Sequence, residues 1–117
     1  MVLITNDQTD GPLIEAPSMM RTRDGTYVLF FSSQCFTQTI YDVSYATSRS
    51  PTSGFEKAGA PLLHAGMDGL IGPGSAGVAA DGRYMAFHGY SDKAGAGQVR
   101  AMYVATGLAT QDGIVSV

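Results

Sequence analysis

Apolar residues in this chain come in short runs, and glycine, proline and aspartate break the runs apart. No window keeps the 3.6-residue period of an amphipathic helix, so the runs read as strands. Five Asp-Gly pairs punctuate them: Asp10-Gly11, Asp24-Gly25, Asp68-Gly69, Asp81-Gly82 and Asp112-Gly113. Asp-Gly between alternating runs marks a tight hairpin, because the turn needs residues that accept positive φ. Two predicted hairpins look alike, one from Ala16 through Asp24 to Ser32, the other from Gly72 through Asp81 to His88. Asp24, Tyr27 and Phe30 stand against Asp81, Tyr84 and Phe87 at an offset of 57. A third run follows each, 43–47 and 102–106, at an offset of 59.

The chain therefore reads as a three- or four-stranded unit written twice, over residues 1–60 and 61–117. Four strands per unit at a period of this order is how propeller blades read in sequence. The Gly- and Ala-rich stretch 72–80 suits an innermost strand, where blades crowd together. The predicted fold class is all-β: a partial β-propeller of about two antiparallel blades. Two blades make a wedge whose outer faces need covering, so the pattern predicts either further blades or association of copies.

Composition narrows the function classes. Hydrophobic residues make up 44% and charged residues 15%, the balance of a globular chain. A net charge of −3 and the lack of any Lys/Arg run argue against nucleic acid as a partner. No apolar run approaches the ~20 residues a membrane helix needs. Residues 1–7 have no basic stretch or long apolar stretch of a signal peptide, and read as a strand. The sequence assigns no compartment. Cys35 is the single cysteine, so no internal disulfide forms, and it is expected to be a small buried hydrophobe with nothing nearby to activate the thiol. One Cys with His64 and His88 does not build a zinc site of standard spacing, so neither metal nor cofactor is expected.

Most of the ten carboxylates have plain explanations. Five precede glycine in turns, Asp7 sits in the Asn6-Asp7 turn, Glu56 lies beside Lys57 in a polar loop, and Asp92 lies in the loop Ser91-Asp92-Lys93. Asp42 alternates with Tyr41 and Val43 and is expected to face solvent. Glu15 differs: it is flanked by Ile14 and Ala16 at the start of a predicted inner strand. Partial desolvation there would disfavour a charged carboxylate and suit a general acid; the other reading is an edge glutamate in the bend before Pro17. His88, at a strand end, reads as a structural or rim histidine. The stretch Gly72-Pro73-Gly74-Ser75-Ala76-Gly77 formally matches G-x-G-x-x-G, but a strand and a turn follow it rather than a helix, so it is not a dinucleotide site. Ser75 is not in a nucleophile elbow, since position 73 is proline. The methionines, Met19, Met20, Met67, Met85 and Met102 among them, read as gap-filling core.

An ordered set of motifs covers nearly the whole chain. It comprises Leu13-Ile14-Glu15-Ala16-Pro17-Ser18, Tyr27-Val28-Leu29-Phe30-Phe31-Ser32-Ser33, and Tyr45-Ala46-Thr47-Ser48-Arg49-Ser50-Pro51 with Gly54-Phe55. Ile71-Gly72-Pro73-Gly74, Ala86-Phe87-His88-Gly89-Tyr90 and Arg100-Ala101-Met102-Tyr103-Val104 complete it. Together they resemble glycoside hydrolase family 43. The resemblance implies the last two blades of a five-bladed propeller, and an inverting activity on arabinofuranosyl or xylosyl linkages of plant cell-wall polysaccharides. It implies that Glu15 is the general acid and that Arg100, His88 and Ser75 contribute to substrate binding. Inversion also needs a carboxylate base roughly 6.5–9.5 Å from the acid. In the family that base, and a further Asp that tunes the acid, lie upstream of the motifs matched here, so the resemblance implies an acid without its base. Many members carry His after Gly-Pro-Gly; Ser75 stands there instead, which removes the expectation of a central ion.

The expected partners are a plant cell-wall oligosaccharide or polysaccharide and either another copy of the chain or further propeller blades; neither nucleic acid nor a membrane is expected. The alternative is a non-catalytic, self-associating carbohydrate-binding or structural β-module. Tyr27, Tyr41, Tyr45, Tyr84, Tyr90 and Tyr103 could stack on sugars, although most read as core.

Overall fold

The computed structural model describes residues 1–91 and 99–117, so Asp92 and its loop lie outside the described residues. Strands β1 (Ile14–Arg21), β2 (Tyr27–Ser33), β3 (Asp42–Ser48) and β4 (Glu56–Lys57) form a four-stranded antiparallel sheet in that order. Strands β5 (Gly74–Val78), β6 (Tyr84–Tyr90) and β7 (Arg100–Thr106) form a second, three-stranded antiparallel sheet. A hairpin of β8 (Ala109–Gln111) and β9 (Ile114–Ser116) ends the chain. The fold is all-β, with one 3₁₀ turn at Met67–Gly69 the only helical element among the described residues. Asp112 (φ 52°) and Gly113 (φ 78°) alone connect β8 to β9, and positive φ at both positions is what a two-residue hairpin turn demands.

Residues 1–13, read in part as a strand, form none. Turn chemistry prevails there: the Asp7 carboxylate accepts from the amide and hydroxyl of Thr9, and the Asp10 carboxylate accepts from the Asp7 amide. Lys57 then clips this segment to the first sheet, donating to Asp7 at 2.8 Å and to the buried Asp10. Asp10 is thus more than a turn residue, since a buried carboxylate persists only when paired.

The inner strands of the two sheets carry the same defect. Between Glu15 and Ser18, β1 has one residue more than its partner β2, and between Gly74 and Gly77, β5 has one more than β6. Each bulge holds a non-glycine residue at positive φ, Ala16 (53°) and Ser75 (52°). Pro17, which has no N–H to give a ladder, falls inside the first bulge. Serine hydroxyls from the first sheet satisfy two amides of the second: Ser32 Oγ accepts from Ser75 N at 2.8 Å, and Ser18 Oγ from Val78 N at 3.1 Å.

Aligning the bulges corrects the repeat. Glu15 pairs with Ser32 and Gly74 with His88, so the middle strands correspond at an offset of 56, not 57. Phe30 therefore matches Ala86, and Phe87 matches Phe31. A one-residue slip moves a side chain to the opposite face, which is why the two phenylalanines look equivalent in sequence yet sit on opposite faces of their sheets. The third strands keep the offset of 59, Ala46 lying opposite Leu29 and Ala105 opposite Met85.

The core lies between the sheets. Val28, Phe30, Val43 and Tyr45 meet Ala76, Met85 and Phe87, with Leu62, Leu63 and Val115 closing the edges. Full burial of each large apolar side chain contributes roughly 1.5–3 kcal/mol. Asp42 does not face solvent: it is buried and accepts the Ser33 hydroxyl at 2.6 Å. Of the methionines, Met20 and Met85 are core, whereas Met19 and Met102 are exposed.

Candidate functional site

The bulge in β1 sends the Glu15 carboxyl toward the start of the second sheet. There Tyr41, immediately before β3 and fully buried, donates its phenol to Glu15 Oε1 at 2.7 Å. Ser75 Oγ lies 3.4 Å from the same phenol oxygen. The Tyr41 ring stacks on His88, with centroids 5.8 Å apart and an interplanar angle of 15°. Three residues singled out in the sequence, Glu15, Ser75 and His88, thus converge on a fourth, Tyr41, read there as core or a sugar platform.

Arg100, across the β6–β7 ladder from Tyr90, completes the cluster without touching the acid. Its guanidinium donates to the Phe36 carbonyl at 3.2 Å and to the Tyr90 hydroxyl at 3.3 Å, and it lies over both aromatic rings. Tyr90 donates to the same carbonyl at 2.6 Å. Arg100 therefore organises the loop 34–41 that delivers Tyr41.

Glu15 is exposed, so the desolvation expected from its apolar neighbours is not its environment. Its stem lines an open groove of about 280 Å³ with Val2, Leu3, Ile4, Pro17 and Phe31, while the carboxyl reaches out to Tyr41. Burial holds His88 below its usual 6.5, and the Arg100 charge acts in the same direction against the opposing Glu15. His88 Nδ1 is buried without a hydrogen-bond partner among the described residues. Cys35 is not the buried hydrophobe expected: it is partly exposed, and contact with the Thr37 hydroxyl and amide pushes its thiol down.

A larger open cleft, about 600 Å³, lies at the opposite strand ends against Asp24, Arg49, Glu56 and Asp112, and contains none of these residues. Among the described residues no group of three or more His, Cys, Asp or Glu is placed to hold a metal ion, and no helix is long and apolar enough to cross a membrane.

No protein-family profile and no curated protein matches the chain. Solved structures do. A thermostable family-43 glycoside hydrolase superposes with a TM-score of 0.82 at 25% identity, over 97% of this chain and 40% of that one. An endo-1,4-beta-xylanase from Bacteroides thetaiotaomicron VPI-5482 superposes with a TM-score of 0.74 at 31% identity, over 89% of this chain and 37% of that one. The chain thus spans about two fifths of the length of either structure. Its architecture is accordingly that of part of a family-43 glycoside hydrolase, the family its ordered motifs resemble.

Proposed function

We propose that this chain is the general-acid portion of a family-43-type glycoside hydrolase, two blades of a propeller, acting on arabinofuranosyl or xylosyl linkages of plant polysaccharides with inversion. The observation that carries the reading is the convergence of Glu15, Ser75 and His88 on one buried tyrosine, with Arg100 bracing the loop that brings it. In this reading Glu15 protonates the leaving-group oxygen, and Ser75, His88 and Arg100 line the sugar site. Glu15 is the only carboxylate hydrogen-bonded within the cluster among the described residues. The base comes from elsewhere, so the chain alone turns over little or no substrate: an acid by itself supplies only part of a general acid–base effect of about 10²–10⁴-fold.

The test is hydrolysis of p-nitrophenyl arabinofuranoside and xyloside by each species resolved by light scattering, with Glu15→Gln alongside. Turnover confined to an assembly, and lost in Glu15→Gln, supports the acid and a base supplied across an interface. Turnover indifferent to Glu15→Gln overturns it. A second reading, a self-associating β-module, draws on the open face of the second sheet, where Tyr84, Met102 and Val104 are 51%, 75% and 64% exposed. An inert, folded oligomer that binds no xylo- or arabino-oligosaccharide favours that reading.

A further inference from the structure

We propose that Tyr41 is a positioning residue for Glu15, fixing which carboxyl oxygen carries the acid's proton. The inference rests on the reading of Glu15 as the acid and adds the device that aims it. Tyr41 donates to Oε1 at 2.7 Å, while its contact with Ser75 Oγ is longer, 3.4 Å. A proton on Oε1 would oblige the phenol to turn its own O–H away from Glu15 to the more distant Ser75, 3.4 Å off, so neutral Glu15 carries its proton on Oε2. A carboxyl on an exposed, flexible side chain otherwise samples both oxygens and many rotamers, and holding a reacting group in one geometry is a large part of catalysis.

Tyr41 can do this because it is itself immobile. Its side chain is fully buried, its ring stacks on His88, and its ring edge lies where a side chain at position 74 would begin. A Cβ on Gly74 would sit 1.9 Å from Tyr41 Cε1, inside any possible contact. Gly74 is not at positive φ, so its backbone does not demand glycine. What demands it is the tyrosine. At Gly72 the backbone also favours glycine, with φ 53°, and a Cβ there would lie 3.0 Å from the Gln38 carbonyl and 3.1 Å from Tyr90 Cε2. The Gly72-Pro73-Gly74 segment, which imitates a phosphate-binding motif in sequence, is thus a seat for the two tyrosines that hold the loop 34–41 and the acid.

Glu15 and Glu56 are the only glutamates in the chain, so carboxyl-¹³C glutamate labelling gives two signals with a built-in reference. Tyr41→Phe keeps the ring and removes only the hydroxyl. The expected result is a displaced Glu15 signal and an unmoved Glu56 signal, at a thermal midpoint showing that the variant is folded. A Glu15 signal identical to wild type overturns the proposal. A second measurement does not depend on that variant folding. Burial, together with the bond to Glu15 and its charge, holds the Tyr41 phenol above its usual 10.0. In Glu15→Gln, a change at an exposed side chain, Tyr41 should ionise at lower pH than in wild type, as read from its ring ¹³C signal; an unchanged titration overturns the proposal. The two readings fail separately. Turnover by an assembly that is indifferent to Glu15→Gln removes the acid, whereas an unmoved Glu15 signal removes Tyr41 alone.

Discussion

The two sheets share a register, a bulge and a serine-mediated seam, and differ in how many faces are covered. In the first sheet both faces are buried: Val28 and Phe30 against the second sheet, Leu29 and Phe31 on the other side, where Phe31 and Leu29 share a groove with Val2, Leu3 and Ile4. In the second sheet Met85 and Phe87, the counterparts of Leu29 and Phe31, are buried. The counterparts of Val28 and Phe30 are Tyr84, 51% exposed, and Ala86, also exposed. Met102 and Val104 stand beside them on β7. Position within the repeat decides which way a residue points; a neighbour decides whether it is buried. The open face keeps apolar side chains that water alone does not explain.

Three sets of substitutions would break or sharpen that contrast. Phe30→Ala removes the largest fully buried side chain of the seam and should cost about 4 kcal/mol, while Met102→Ala and Val104→Ala should stay within about 0.5 kcal/mol, read by denaturant unfolding at several protein concentrations. Open-face variants as costly as Phe30→Ala, with a concentration-dependent midpoint, would mean that a second copy covers that face in solution. Next, the two glycines flanking the β5 bulge should part ways. Gly74→Ala drives a methyl into Tyr41 and should cost about 2 kcal/mol, whereas at Gly77 nothing lies within 4 Å and alanine should change stability by less than about 0.5 kcal/mol. Equal effects would dissolve the argument that the tyrosine demands the glycine. The smallest effect is one of pH, at His88, whose counterpart Ser32 does not titrate. Its folded-state proton affinity is lowered, chiefly by burial, so the unfolded chain binds the proton first as pH falls. Stability from this group is present above the usual 6.5 and declines as pH drops below it. His88→Phe should keep the stack on Tyr41 and flatten that slope; a slope of unchanged size would place its origin elsewhere.

How much of this was legible depends on the length scale of the cause. The third strands at an offset of 59 and the all-β class rest on local pattern and are found, as are three of the five Asp-Gly hairpins, at Asp24, Asp81 and Asp112; Asp10-Gly11 precedes the first strand and Asp68-Gly69 belongs to the 3₁₀ turn. The hairpin offset of 57 failed because the turn of the second copy is shorter: Met19 and its partner Leu29 are 10 positions apart and Val78 and Met85 are 7, so the inner strands correspond at 59 and the middle strands at 56. Asp42 looked solvent-facing because strict alternation was assumed, while Ser33 across the ladder supplies the bond that lets it stay inside. Glu15, Ser75, His88 and Arg100 were legible as candidates through motif resemblance. Tyr41 was not legible as their meeting point, because its reach to Glu15 spans 26 positions and depends on what Gly74 lacks. One clue was available: a glycine in a predicted strand marks a close approach by something else.

The last strand bears on the order in which the molecule can assemble. Val115 is buried in the seam, and its amide donates to the Tyr45 hydroxyl at 3.2 Å, across 70 positions of chain. The first sheet can pair its own strands early, from local turns, but the edge of the seam at Tyr45 stays open until residue 115 is in place. Closing so distant a contact is slow relative to forming a hairpin. Val28 and Phe30 gain their cover from Ala76, Met85 and Phe87, whereas Tyr45 waits for the β8–β9 hairpin to dock, so that edge of the seam is the part of the core that closes late.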